Sequence, residues 1–184
     1  TSGDAGTISG AVLGLLQVNG PKAVVTLEGG TIETSRANAV SVTADGAQFS
    51  MTGGELKAPE GSIALGLQNG TTSIVGGVVN GDVALDNTAP SSPALTVGAA
   101  GGYDSPLING NVVSNLKNAA VNLVGGTIGG VTGKLPEGSV LTSHFSSDIS
   151  NALPDSGMQC VQQDGQWVVV KLTEENAGAK IVHA

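Results

Sequence analysis

Short runs of alternating apolar and polar residues recur along the chain at a nearly constant interval. Four of these runs follow a double glycine, at Gly29-Gly30, Gly53-Gly54, Gly76-Gly77 and Gly125-Gly126. With two similar segments that begin at Thr7 and Leu107, the chain has six such starts, at 7, 31, 55, 78, 107 and 127. A repeat of about 24 residues is typical of a solenoid, in which each unit stacks on the next.

Aligning the six starts separates an apolar column from a polar one. The residue after each start is always aliphatic: Ile8, Ile32, Leu56, Val79, Ile108 and Ile128. The next column contains no aliphatic side chain: Ser9, Glu33, Lys57, Asn80, Asn109 and Gly129. A second apolar column lies four residues before the starts, with Leu27, Met51, Ile74, Leu123, and Tyr103 in the irregular unit. A period of two predicts strands with one buried face.

These columns predict an all-β fold, a right-handed parallel β-helix of about six coils with three short strands per coil. The third strand is visible as AVSV from residue 39, SIAL from 62 and DVAL from 82. The double glycines are interpreted as corners at which the chain turns with positive φ. A β-sandwich with glycine-rich hairpins is the alternative, although a sandwich does not require a constant interval.

The repeat pattern ends near residue 135, and a different kind of segment follows. The run MQCVQQDGQWVVVKL alternates around Asp164-Gly165, which predicts a β-hairpin. We therefore divide the chain into β-helix repeats over 1–134, a C-terminal cap over 135–173 and a linker to a further module over 174–184. The cap would cover the open edges of the last coil. Its apolar residues are predicted to pack on that coil: Phe145, Leu153, Met158, Val161, Trp167 and Val169.

Composition limits the classes of protein and partner. Hydrophobic residues make up 40% of the 184 residues but aromatic residues only 2%, so the core must be built from aliphatic side chains. A net charge of −8 argues against binding to nucleic acid or to an anionic membrane surface. No apolar run approaches the ~18 residues of a membrane-spanning helix. The single cysteine, Cys160, excludes an intrachain disulfide and is predicted to be buried.

Two weak candidate sites emerge from the polar positions. An outer-face cluster comprises Glu33, Arg36, Glu55 and Lys57 on adjacent coils, where Glu33 and Lys57 are equally well interpreted as a cross-strand ion pair. A loop group comprises Asp82, Asp86, Tyr103 and Asp104, in or near the longest coil, whose extra residues NTAPSSPA are predicted to form a loop. Neither group has the pattern of a known catalytic or metal site, so we predict no catalytic residue, metal ion or cofactor.

The C-terminal segment HFSSDISNALPDSGMQCVQQDGQWVVV resembles a module that recurs in large surface proteins of Gram-positive gut bacteria. The matching residues are Phe145, Ser146, Asp148, Gly157, Asp164, Gly165 and Trp167, whereas Met158 stands where the family usually has an aromatic residue. In those proteins the module follows glycine-rich β-helical coils. The tail LTEENAGAKIV is similar to the linker that leads into a further module.

The resemblance implies a secreted or cell-surface location. The expected function is that of a non-catalytic module, a monomeric adhesive or spacer scaffold within a longer chain, with a polysaccharide or a host surface glycoprotein as partner. The alternative is an enzyme of the pectate-lyase type, or a remnant of one, because parallel β-helices also carry polysaccharide lyases and glycosidases.

Overall fold

The structure, a computed structural model, describes residues 7–10, 16–36, 38–85, 92–154 and 157–173. The regular elements in these residues are β-strands and one 3-10 helix, η1 (Ser150–Ala152). Stacked parallel strands form a β-helix, or β-solenoid, of about five turns, which confirms the predicted fold class. No helix in the described part of the chain has the length and hydrophobicity needed to cross a membrane.

The strands form three faces around a common interior. Face one contains β1 (Thr7–Gly10), β4 (Thr31–Thr34), β7 (Glu55–Lys57), β10 (Val78–Asn80), the first parts of β13 (Leu107–Ser114) and β15 (Thr127–Gly133), and β17 (His144–Phe145). Face two contains β2 (Leu16–Val18), β5 (Val40–Val42), β8 (Ile63–Leu67), β11 (Asp82–Leu85) and the second parts of β13 and β15. Face three contains β3 (Val24–Leu27), β6 (Gln48–Met51), β9 (Thr71–Ile74), β12 (Ala94–Val97), β14 (Ala120–Leu123) and β16 (Val140–Leu141).

All six predicted starts pair in register on face one. The partners run Thr7, Thr31, Glu55, Val78, Leu107 and Thr127, each aligned with the next. The structure has about five turns, slightly fewer than the six coils predicted. Parallel pairing also continues past residue 134, because β16 pairs with β14 and β17 pairs with β15. The repeat therefore ends later than the sequence pattern indicates.

Aliphatic ladders fill the interior, as the columns predict. On face one the ladder consists of Ile32, Leu56, Val79, Ile108 and Ile128 and ends in the aromatic Phe145, and none of these residues is more than 3% exposed. Similar ladders line the inner sides of faces two and three, through residues such as Leu65 and Ile74. Because burial of one such side chain contributes roughly 1.5–3 kcal/mol, these ladders are the main source of stability.

The double glycines occupy the corners between face three and face one. The second glycine of each pair has a positive φ, 81° at Gly30, 78° at Gly54, 84° at Gly77 and 73° at Gly126. A Cβ atom on Gly54 would also lie 2.7 Å from the carbonyl oxygen of Gly30 in the coil before it. Glycine is therefore required at these corners for two reasons, the left-handed backbone and the close approach of stacked coils.

One position in the predicted columns is wrong, and it lies in the longest coil. Val97, and not Tyr103, pairs with Ile74 and Leu123 in the inner column of face three. Tyr103 is 38% exposed. The connection from Val97 to Leu107 is longer than the equivalent one from Ile74 to Val78, so Tyr103 lies in an insertion at this corner. The predicted loop NTAPSSPA lies mostly outside the described residues.

A hairpin of β18 (Met158–Gln163) and β19 (Gln166–Lys171) closes the C-terminal end. It turns at Asp164 and Gly165, both with positive φ, as predicted. Strand β19 pairs antiparallel with β17 through Phe145 and Trp167, so the hairpin covers the last parallel edge of face one. Phe145, Leu153 and Cys160 are buried, and Met158, Trp167 and Val169 are partly buried and pack against the core.

Candidate functional site

The outer-face cluster forms two separate interactions on the solvated side of face one. Lys57 Nζ lies 2.9 Å from Glu33 Oε1, and the two side chains are 49% and 43% exposed. This hydrogen bond and the Glu33 charge raise the pKa of Lys57 above its usual value. Glu55 instead accepts hydrogen bonds from Asn80 Nδ2 at 2.6 Å and from Thr31 Oγ1 at 3.4 Å. The predicted cross-strand ion pair is therefore present.

Arg36 lies in the exposed turn that follows β4. Its backbone N–H donates to Thr34 Oγ1 at 3.3 Å, a contact that shapes the turn. The carboxylates of Glu33 and Glu55 are engaged by Lys57 and by Asn80, on neighbouring coils. This arrangement stabilises the sheet, because opposite charges and hydrogen-bonding groups face one another across strands.

The loop group does not converge in the described structure. Asp82 begins β11 at the corner between faces one and two, and its Oδ1 accepts the backbone N–H of Asn111 at 2.8 Å. Tyr103 and Asp104 lie at the other end of face one, in the insertion before β13. Asp86 lies outside the described residues. Asp82 therefore supports β13 where this strand passes from face one to face two. This position is at the opposite end of face one from Tyr103.

Tyr103 stacks on a residue of the last coil. Its ring centroid lies 4.0 Å from that of His144, with only 2° between the ring planes. The Tyr103 carbonyl oxygen also accepts a hydrogen bond from Thr127 Oγ1 at 3.1 Å. These two contacts hold the insertion that contains Tyr103 against the two coils that follow it.

A groove of about 470 Å³ runs along face two. Its floor is an outward column of small residues on three consecutive coils, Ser41, Gly66 and Ala84, which pair in register. The amide of Asn38 lies over Gly66, where a Cβ atom would overlap Nδ2, and Nδ2 donates to Ser41 Oγ at 3.2 Å. The small side chains therefore create the groove between taller neighbours.

Amide, hydroxyl and aliphatic side chains line this face-two groove. The polar members are Gln17, Asn38, Ser41, Thr43, Gln68 and Asn115, and the apolar members are Ile63, Ala84, Leu85 and Val113, with Gly66 in the floor. No charged side chain is present among these lining residues. The groove suits recognition by uncharged hydrogen bonds beside apolar contact, the usual character of a small-molecule or polymer site.

Sequence reasoning missed this groove because the columns of face two slip. The pairing of β8 with β11 shifts register between Asp82 and Val83, so one extra residue, Ala64, interrupts the alignment. The signal that could have found the groove is Gly66, a glycine in the interior of a strand. Such a glycine often marks a bulge or a close approach to a ligand or another group.

The described residues contain no cluster of three or more His, Cys, Asp or Glu side chains arranged to hold a metal ion. A separate depression of about 240 Å³ at the corner between faces one and two includes two carboxylates, Glu60 and Asp82. Asp82 there is already hydrogen-bonded to Asn111. Cys160 is buried in the cap, and burial raises the pKa of its thiol.

Taken together, these residues define a capped parallel β-helix with an uncharged groove along one face. Searches with this chain against protein-family models, curated proteins and solved structures returned no match.

Proposed function

We propose that this chain is a non-catalytic module of a secreted or cell-surface bacterial protein, in which it acts as an adhesive or spacer scaffold. The observation that carries the proposal is the continuous stack of coils with a hairpin over its last edge. Such a stack presents long, regular outer faces on a rigid interior. Extended surfaces of this kind are what repeat proteins use for binding.

The surface location is supported by the resemblance of the cap segment to modules of Gram-positive surface proteins. Phe145 and Trp167, two residues of that motif, pair where the hairpin meets the last coil. A motif that closes a solenoid in this way suits an array of modules, because each β-helix must be closed before the next module begins. We place the partner among polysaccharides and host surface glycoproteins.

The experiment is incubation of the purified chain with a panel of pectins, neutral polysaccharides and host glycans, followed by separate assays for retention of at least one of them and for released products. Retention without cleavage is the expected result for an adhesive module. Release of shortened or unsaturated products would overturn the proposal and favour the enzyme.

An enzyme of the polysaccharide-lyase or glycosidase type is the second candidate. It is favoured by the corner depression that holds Glu60 and Asp82, since paired carboxylates are the usual means of glycoside hydrolysis. If products are released, the variants Glu60→Gln and Asp82→Asn should abolish the release. Unchanged release by both variants would place the reaction elsewhere on the surface.

A further inference from the structure

We infer that the face-two groove binds an uncharged polysaccharide whose chain lies along the axis of the solenoid. This inference rests on the proposed function as an adhesive module and adds to it a site and a class of ligand. Three observations carry it: the uncharged lining of the groove, its mixture of amide and aliphatic side chains, and its length across successive coils.

The absence of charge from the lining selects an uncharged ligand. The whole chain has 7 basic and 15 acidic residues, yet the described lining of this groove has none of them. An anionic polymer such as a polyuronate would lose hydration in the groove and find no cation there to compensate. The −8 net charge of the chain would repel it further.

The polar side chains of the groove suit hydroxyl groups. Asparagine and glutamine each offer N–H donors and an oxygen acceptor, and a sugar hydroxyl can use both. The Asn38 amide donates to Ser41 Oγ inside the groove, so one amide group already lies over its floor. Gln17 and Asn115, at the two ends of the groove, are exposed.

Aliphatic side chains provide the complementary apolar contact. Ile63 is 37% exposed at the wall of the groove, and Val113 is half-buried beside it. The C–H faces of a pyranose ring can pack on such side chains while the hydroxyls reach the amides. The groove therefore offers both kinds of contact that a neutral sugar requires.

The dimensions favour a polymer over a single sugar. The outward column that contains the floor runs from Gln17 through Ser41, Gly66 and Ala84 to Val113, on five successive strands. Four strand spacings correspond to about 19 Å, since neighbouring strands lie about 4.8 Å apart. A single sugar would contact only part of this column, whereas a polymer could contact all five strands.

An extended peptide is the competing ligand, but the groove lies on a sheet face whose strands are already paired with their neighbours. A peptide that adds to a sheet requires an unpaired edge. A polysaccharide needs no sheet edge, because it can bind through side-chain hydrogen bonds and apolar contacts, and this face presents both.

The test measures binding of the full chain to a soluble β-glucan and a mannan, with polygalacturonate as the anionic comparison and an uncharged Ser/Asn-rich peptide as the peptide comparison. We expect at least one neutral polysaccharide to bind, with little dependence on salt because no ion pair is involved. The polygalacturonate and the peptide should not bind.

Variants locate the site. Ser41→Leu fills the floor of the groove and should weaken binding by about tenfold or more, as loss of one or two hydrogen bonds predicts. Ser73→Leu makes the same change at an outward, half-buried serine on face three and should leave binding intact. Gln17→Ala, at an exposed position, should weaken binding without affecting the fold.

The possible results separate this inference from the proposed function. Lack of binding to any neutral polysaccharide, preference for polygalacturonate or for the peptide, or equal binding by folded Ser41→Leu and Ser73→Leu would overturn the inference, while the scaffold role would stand as a spacer. Cleavage of a polysaccharide would instead overturn the non-catalytic function.

Discussion

Glycine at a coil corner meets two physical demands that can be separated by mutation. Gly54 has a φ of 78°, and a Cβ atom on it would approach the backbone of Gly29 and Gly30. Gly61 has a φ of 71° with no atom within 4 Å of such a Cβ. Gly29 has neither constraint. These three positions therefore distinguish backbone strain from overlap between stacked coils.

We expect Gly54→Ala to be the most destabilising of the three alanine variants. Gly61→Ala should cost about 1 kcal/mol from left-handed strain alone, and Gly54→Ala should cost more because its coil must also move. Gly29→Ala should be neutral or stabilise by a few tenths of a kcal/mol. Urea unfolding of the three variants gives the order, and equal effects at positions 54 and 61 would contradict the stacking explanation.

A single hydroxyl interrupts the inner ladder of face three. Thr72 is 1% exposed between Phe49 and Leu95, and its Oγ1 has no hydrogen-bond partner. A buried unpaired hydroxyl is costly because it loses its hydrogen bonds to water.

Thr72→Val should therefore stabilise the protein, by about 1 kcal/mol. The methyl group that replaces the hydroxyl fits nearly the same space in an apolar ladder. Thr71→Val, at the adjacent exposed position, is the matched control and should change the free energy of unfolding by less than about 0.5 kcal/mol. A loss of stability in Thr72→Val would mean that the hydroxyl is hydrogen-bonded in solution.

Strands in this fold divide sharply between their two sides. On β7, Leu56 is fully buried in the face-one ladder, whereas its neighbour Lys57 is about half exposed and paired with Glu33. Substitutions on the two sides should therefore differ greatly in effect.

Leu56→Asp should cost several kcal/mol and prevent folding, because it places an unpaired charge in the ladder. Glu33→Ala should shift the melting temperature little, since exposed ion pairs contribute little. Circular dichroism melts of both variants provide the test. Similar melting of the two would contradict the inward and outward assignment of face one.

The cap has a local interaction that should respond to acid. Asp148 Oδ1 accepts hydrogen bonds from Ser150 Oγ at 2.6 Å and from the Ser150 backbone N–H at 2.8 Å. The Ser150 hydroxyl is the main cause of the lowered pKa of Asp148, whose ordinary value is 3.8. A lowered pKa means that the ionised carboxylate stabilises the fold above its ordinary pKa and that this contribution is lost as pH falls through the folded value.

Ser150→Ala should therefore raise the pKa of Asp148 toward its ordinary value, measured by NMR titration. The difference in melting temperature between the original protein and this variant should be larger at pH 7 than at pH 2. A constant difference across this range would show that Asp148 and Ser150 are not coupled.

The elements that sequence could predict are those with a regular period. Face one could be predicted because four of its six starts follow double glycines and its apolar column has no exception. The insertion that contains Tyr103 was not, because it shifts the count at one corner while Val97 keeps the inner column. The groove was hidden for the related reason that Ala64 bulges between paired strands. Local irregularities such as these depend on three-dimensional pairing, which periodicity does not encode.

The hairpin closes the C-terminal end of the whole stack. Pairing of β17 with β19 covers an edge that would otherwise present the backbone of the last coil, next to the buried ladder that ends in Phe145. Exposed parallel edges promote association with other chains.

Truncation after residue 147 should therefore produce oligomers or aggregates, because it removes η1 and the hairpin but keeps β17. Light scattering and melting temperature should both report the change. Truncation after residue 173 keeps the cap and should behave like the full chain. A monomeric short form with unchanged melting would show that the hairpin is an independent appendage.

The direction of the hydrogen bonds between coils has a mechanical consequence. Strands inside the stack pair with the coils before and after them, and β1 and the hairpin lie at opposite ends of the face-one strand order. A tensile force between these ends pulls the hydrogen bonds open in the direction in which they point, so that one row bears the load at a time. Each coil of about 24 residues would then add about 80 Å of extended chain as it peels away. Under tension the stack would yield in coil-sized steps and absorb work at each one.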